Sequence, residues 1–236
     1  NKESGIIAVD PSSPISGGAI LGDRIRMTAT LDDDGVFMRS LASRGHLGGL
    51  CPAAVRVIDA FDAAGKDIVL LETVGTGQSE IDVAEVADVR IVVSAPGLGD
   101  DIQAMKSGLL EVADILVVNK ADREGAERTA QQLKGALSLR SGPRANVPVL
   151  KVTATTGDGV PALAVAIDDF ATANVAKDAT VRRRRRARYL IARAAADPVG
   201  ERVRHGADGE LDRLADAVLA GTLLPADAAG KILRGM

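Results

Sequence analysis

"DILVVNKAD", residues 114–122, changes character at one point: four apolar residues, Ile115 to Val118, run directly into Asn119-Lys120-Ala121-Asp122. A short β-branched run predicts a strand covered on both faces, and the polar quartet then falls at its carboxyl end. Open α/β sheets place their ligand-contacting loops there. The quartet's side chains suit one ring in particular. The Asp122 carboxylate can accept hydrogen bonds from the N1–H and exocyclic amine of guanine, and Asn119 can offer its amide to the ring edge. Lys120 can lay its methylenes along the base while its ammonium stays solvated. Adenine has the wrong donor pattern and would leave Asp122 unpaired, which is the costly kind of mismatch. Four residues alone also suit a helix cap. Position favours the base reader, because "VTAT" (152–155) follows the next strand and puts Thr153 and Ala154 where a base-stacking loop is expected.

Outward from this stretch the same rhythm recurs. "GIIAVD" (5–10), "DIVLLE" (67–72), "VRIVVSA" (89–95) and "VPVLKVTA" (147–154) are further candidate strands. Between the first two, "PAAVRVIDAFDAAG" sets Ala54, Val57, Ile58 and Phe61 on one helical stripe, with Pro52 to start the helix and Gly65 to end it. More helices are expected near 79–87, 101–112, 124–138 and 160–170. Strands alternating with helices predict an α/β fold, a mostly parallel sheet flanked by helices. Strand signals stop after about residue 172. "VRRRRRARYLIARAAAD" places Ala187, Leu190, Ile191 and Ala194 on one stripe, and "ELDRLADAVLAG" does so with Leu211, Leu214, Ala215 and Val218. The expected organisation is therefore one α/β domain over 1–172 and a C-terminal helical appendage over 173–236.

Composition agrees. The 236 residues are 46% hydrophobic but only 2% aromatic, so the core must be built from Val, Ile, Leu and Ala. One cysteine, Cys51, rules out an internal disulfide, and no apolar run approaches the roughly 18 residues of a membrane span. A cytoplasmic setting without membrane contact is expected. The net charge of −3 hides an asymmetry, since the segment from Asn174 onward carries a surplus of five positive charges on an otherwise acidic chain. That points to a charged contact surface.

Other strand ends carry candidate chemistry. In "LLETVGTGQSE", Glu72 can hold Mg2+ or orient a water, and Gly75 and Gly77 let backbone N–H groups approach a phosphate. Ser79 to Asp82 fits a capping box, which leaves Glu72 unexplained. "AVDPSSPISGGAILGDRIRM" offers Asp10 and Asp23 as two hard oxygen ligands for Mg2+, although Asp10-Pro11 equally suits a turn. "SAPGLGDDIQAMK" is a glycine-bearing loop feeding a helix with Lys106 about one turn in. His46 and His205 have no partners at metal-ligand spacing. No phosphate-binding lysine loop exists: Gly pairs with Lys only at Gly65-Lys66 and Gly230-Lys231, and neither is followed by Ser or Thr.

Five blocks, "VDPSSPISGGAILGDRIRM", "MRSLASRGHLGGL", "VLLETVGTGQSE", "APGLGDDIQAMKSGLLEVADILVVNKAD" and the Leu/Arg-rich tail, closely resemble the MeaB/ArgK family of methylmalonyl-CoA mutase-associated GTPases. The resemblance implies a P-loop NTPase-like fold whose first strand and phosphate loop would precede Asn1. Their lack would leave a gap near the centre of the sheet with unpaired edges. A chain confined to these residues is then expected to hold GTP weakly or not at all. The resemblance further implies GTP hydrolysis with Mg2+, in the service of an adenosylcobalamin-dependent acyl-CoA mutase that the protein would load, protect or reactivate. By matching motif, Asp10, Asp23 and Glu72 would sit at the metal and γ-phosphate, and Asn119, Lys120 and Asp122 would read guanine. Gly97 to Lys106 would form a mobile switch in which Lys106 reaches towards Glu72. The tail resembles the family's dimerisation arm, which implies a homodimer.

Two other classes compete. A catalytically inactive relative would serve only as a mutase-binding or dimerisation module. "RRRRRAR" (182–188) would suit nucleic-acid phosphates, but the acidic chain and the scarcity of aromatics speak against that partner.

Overall fold

A computed structural model of the chain describes residues 2–10, 27, 33–42, 50, 52–73, 83, 85–97, 109–138, 147–175, 178–205 and 209–234. By internal contacts the chain divides into two compact units, 1–186 and 187–236.

Among the described residues the first unit holds six strands, paired in parallel. β1 (Ser4–Asp10) lies between β2 (Val36–Ala42) and β3 (Ile68–Thr73), with Ala8 opposite Ser40 and Glu72. A second sheet has β5 (Ile115–Val118) between β4 (Ile91–Ser94) and β6 (Val149–Lys151). Among the described residues β3 and β4 are edge strands and are not partners. Leu70 on β3 and Val93 on β4 are 48% and 61% exposed.

The central strands are the apolar runs that the sequence singled out. Ile7 and Val9 of β1 and all of β5 are buried. In β5 the alternation of side chains divides the core. Leu116 and Val118 pack with Ala126, Ala130, Leu133 and Leu137, on a helix that spans Ala126–Ser138. Ile115 and Val117 turn to Leu163, Ala166 and Ile167, on one that spans Val160–Asn174. A strand so covered has no solvent face, which is why it reads as a continuous hydrophobic run.

Helix α1 (Pro52–Ala63) packs on β1 and β3 through Ala54, Val55 and Phe61. Val55, outside the predicted stripe, is fully buried, whereas Val57 is only half-buried. Gly5 is what lets the helix approach, because a Cβ there would collide with the Phe61 ring. That ring also meets Phe37 of β2 edge-on, with centroids 5.7 Å apart. Strand β2 was not predicted. It is an outer strand with only Met38 buried, and Arg39 and Ser40 interrupt its apolar residues.

The remaining helices, numbered in chain order, are α2 (Leu109–Val112), α3 (Ala126–Ser138), α4 (Val160–Asn174), α5 (Ala179–His205), α6 (Gly209–Leu219) and α7 (Pro225–Arg234). The stripe expected on α5 is largely uncovered in the chain. Ala187, Ile191 and Ala194 are exposed and Leu190 half-buried, while Arg186 and Tyr189 are buried. Arginine takes the inner position because acidic partners await it. Arg186 donates to Asp59 Oδ1 at 2.7 Å and lies 3.4 Å from Asp62 Oδ2, which also accepts from Arg183 at 3.0 Å. Arg185 donates to Asp88 and to the carbonyls of Val86 and Ala87, and Arg182 stands 3.7 Å from Asp88. Much of the charge proposed for nucleic-acid phosphates is thus engaged within the chain. Among its described residues the 187–236 unit has helices joined by a turn and no strand. Its α6 has no buried residue, and Leu211, Leu214 and Val218 are half-covered.

Candidate functional site

Parallel strands carry their carboxyl ends to one edge of each sheet, and most of the residues singled out from the sequence lie at those ends. In the β4-β5-β6 sheet the loops after β5 and β6 are joined. Val152 N–H donates to Val118 O, and Ala121 N–H donates back to Val152 O at 3.0 Å. Asn119 N–H donates to Ser94 O at the end of β4, which fixes where its side chain starts.

The Asn119 side chain closes the arrangement. Its Oδ1 accepts from Lys120 N–H at 2.7 Å and from Ala154 N–H at 3.2 Å. Both partners are donors, so this atom must be the amide oxygen, and Nδ2 is left to point elsewhere as a donor. Lys120 is the only non-glycine residue with positive φ among the described residues, at 56°. That conformation costs on the order of 1 kcal/mol for an ordinary side chain and is kept only where surrounding contacts enforce it. Here it turns the chain so that Asn119 folds back over the loop. Asp122 is exposed, and among the described residues its carboxylate has no hydrogen-bond partner. Thr153 is buried and Ala154 exposed. The arrangement presents one carboxylate, one amide N–H2 and one backbone N–H.

Around these loops stands a frame that the sequence reading passed over. Thr153 N–H donates to Asp158 O at 2.8 Å, and Thr153 O accepts from the N–H groups of Thr156 and Gly157. The Thr156 hydroxyl donates to Asp158 Oδ2 at 2.7 Å. Gly159 has φ 77°, and a Cβ on it would collide with the Lys151 carbonyl. Its signal was the turn composition of "TTGDG" (155–159), where Gly and Asp supply φ > 0 and side-chain capping. Lys151 donates to Glu127 Oε2 at 2.5 Å and ties the first turn of α3 to β6. This hydrogen bond, with the lysine charge, holds the Glu127 carboxyl below its ordinary value.

The β2-β1-β3 sheet brings two further candidates near one another. Glu72 pairs with Ala8 in register, two residues before Asp10, so Asp10 and Glu72 stand at the ends of adjacent strands. Two carboxylates at neighbouring strand ends suit a hard, oxygen-seeking cation that keeps several waters. Among the described residues no three His, Cys, Asp or Glu side chains gather as a metal site. Asp23, Gly75, Gly77 and Lys106 lie outside the described residues, as does the Asp10 side chain. The contacts join Asn119, Lys120, Thr153 and Ala154 in one group and place Asp10 near Glu72 in another. No described contact joins the two groups.

Comparison with known proteins gives a consistent result. The family model described as methylmalonyl-CoA mutase-associated GTPase MeaB matches residues 1–208. A Pyrococcus horikoshii relative is 52% identical over 163 residues, covering 67% of this chain and 51% of that protein. GTPase ArgK of Escherichia coli is 42% identical over 71% of this chain and 52% of its own length. The mitochondrial methylmalonic aciduria type A homolog of Mus musculus is 36% identical, covering 66% of this chain and 39% of itself. The chain spans about half the length of curated relatives that it matches. Among solved structures, HypB from Helicobacter pylori in complex with nickel aligns with a TM-score of 0.49 at 15% identity, over 75% of this chain and 79% of that one.

Proposed function

The chain belongs to the MeaB family of methylmalonyl-CoA mutase-associated GTPases, and from that premise we propose that it reads guanine nucleotide through Asn119, Lys120, Asp122, Thr153 and Ala154. The reading extends to GTP hydrolysis in the service of an adenosylcobalamin-dependent acyl-CoA mutase. One observation carries it: a single Asn119 oxygen holds the loops after β5 and β6 together, beside an exposed carboxylate at Asp122 that has no hydrogen-bond partner among the described residues. Guanine matches these groups. Its O6 would share the Ala154 N–H with Asn119 Oδ1 as a three-centre bond, its N7 would accept from Asn119 Nδ2, and its N1–H and amine would donate to Asp122.

Little covalent work falls to the protein in phosphoryl transfer to water, which depends on positioning and on stabilising charge. Asp10, Asp23 and Glu72 are the residues that would hold Mg2+, which when bound neutralises the charge gathering on the transferring group. Glu72 also suits the orienting of the attacking water, with Gly75 allowing backbone N–H groups close to a phosphate. Lys106 would report nucleotide state to the partner by reaching towards Glu72.

The service to the mutase, whether protecting, loading or reactivating it, follows the family's name and the likeness to the mouse protein. Adenosylcobalamin belongs to that partner. Pairing of two copies through the C-terminal helices is supported by apolar side chains left uncovered there, among them Ile191, Leu219, Leu224 and Leu233. Among the described residues no helix is long and apolar enough to cross a membrane, and a cytoplasmic setting is proposed with the rest.

The test is Asp122→Asn in the full-length polypeptide. An amide in place of the carboxylate donates to the 2-oxo group of xanthine and cannot accept from guanine's two donors. Preference is expected to pass from guanosine to xanthosine nucleotides in competition binding. Preference retained for GTP would overturn the assignment of the base reader.

A further inference from the structure

Thr156 and Asp158, two residues outside the guanine contacts, are positioned to aim one of them. The Thr153–Ala154 peptide is a rigid plane, with Thr153 C=O and Ala154 N–H pointing in opposite directions. Its carbonyl is held by two donors, Thr156 N–H at 3.1 Å and Gly157 N–H at 2.9 Å, with Thr156 Oγ1 lying 3.3 Å away. With that oxygen fixed, the N–H on the other side of the plane has one direction left, and it meets Asn119 Oδ1.

What keeps the donors in place is the short side-chain bond beneath them. Thr156 Oγ1 donates at 2.7 Å to Asp158 Oδ2, a charge-assisted bond, and Asp158 N–H approaches the same hydroxyl at 3.4 Å. Asp158 is also the residue whose carbonyl accepts from Thr153 N–H and so closes the six-residue turn at its base. The turn cannot tilt at one end without breaking the bridge at the other. Gly159 seals it, packed so closely on the Lys151 carbonyl that no side chain fits.

We infer that the Thr156 hydroxyl and the Asp158 carboxylate form a clamp that holds the Ala154 N–H at Asn119 Oδ1, where a purine O6 can share it as a three-centre bond, making both residues positioning residues for guanine selectivity. The inference rests on the guanine reading above. It adds that selectivity depends on two side chains that never touch the base.

The test measures GDP and ADP affinities and Ala154 amide hydrogen exchange in the full-length polypeptide, unaltered and as Thr156→Val, Thr156→Ser and Asp158→Ala. Valine keeps the shape and removes the hydroxyl, and serine restores it. The ratio of GDP to ADP affinity is expected to fall about fivefold in Thr156→Val and Asp158→Ala, the worth of one net hydrogen bond. Thr156→Ser should stay near the unaltered protein. Ala154 exchange in the nucleotide-free protein should quicken in the same two variants, which a general loss of stability would not confine to one loop. An unaltered protein without preference for GDP overturns the guanine reading and this inference with it. Preference in the unaltered protein, together with unchanged ratios and unchanged Ala154 exchange in the variants, overturns the clamp alone. Should Thr156→Val fail to fold, Asp158→Ala decides the matter by the same two readings.

Discussion

Replacing Asp114 by alanine is expected to unfasten the beginning of the β4–β5 pair. The Asp114 side chain is only 3% exposed and accepts three hydrogen bonds from one residue. Arg90 reaches it through its backbone N–H at 2.9 Å, Nε at 2.6 Å and Nη2 at 2.8 Å. Arg90 itself is 18% exposed, so water cannot readily take the place of the carboxylate. Breaking a buried pair from one side costs about 3–5 kcal/mol, because the remaining charge stays behind without compensation. In a chain of this size each kcal/mol lowers the melting midpoint by about 2–4 °C, so a fall of about 6–20 °C is expected. Calorimetry and urea unfolding of Asp114→Ala, Arg90→Met and the double variant Asp114→Leu/Arg90→Met form the assay. The double variant should recover most of the loss, since two packed apolar side chains often match a buried ion pair in stability. The reasoning is refuted if Asp114→Ala lies within about 0.5 kcal/mol of the unaltered chain, or if the two positions prove additive to that margin.

Changes elsewhere test the frame around the two loops. Gly159→Ala requires an L side chain at φ 77° and drives its Cβ into the Lys151 carbonyl, so a loss of at least about 1 kcal/mol is expected in urea unfolding. Lys151→Met removes the hydrogen bond and charge that hold the Glu127 carboxyl down, and an NMR titration should then find Glu127 back near its ordinary value. Because the folded-state value is the lower one, the stabilisation from this pair is present above the unfolded-state pKa of Glu127. It is lost as the pH falls through the folded one, and Lys151→Met should remove that acid-side dependence.

The sequence showed the parallel α/β architecture where a strand is covered on both faces. β5 is unbroken Ile-Leu-Val-Val between two helix layers. β2 was invisible for the opposite reason: as an outer strand with one buried side chain it has no apolar pattern to detect, and its place comes from pairing with β1. The inward turn of Arg186 on α5 was not legible because periodicity weighs hydrophobicity, whereas Arg186 is drawn inward by Asp59 and Asp62, more than a hundred residues away. At the site, Asn119 and Ala154 could be associated in advance because their loops follow adjacent parallel strands. Thr156 and Asp158 could not, since their contribution lies in the hydrogen-bonded geometry of a turn whose composition also fits any surface loop.

The division between the two units falls between Arg186 and Ala187, inside the single helix Ala179–His205. A chain severed there would leave the last carbonyls of the first fragment without acceptable donors and the first amides of the second without acceptors. It would also fray the turn on which Arg182, Arg183, Arg185 and Arg186 are mounted. Limited proteolysis should therefore spare this boundary, and a fragment intended to carry the six strands alone would best keep several further turns of the helix.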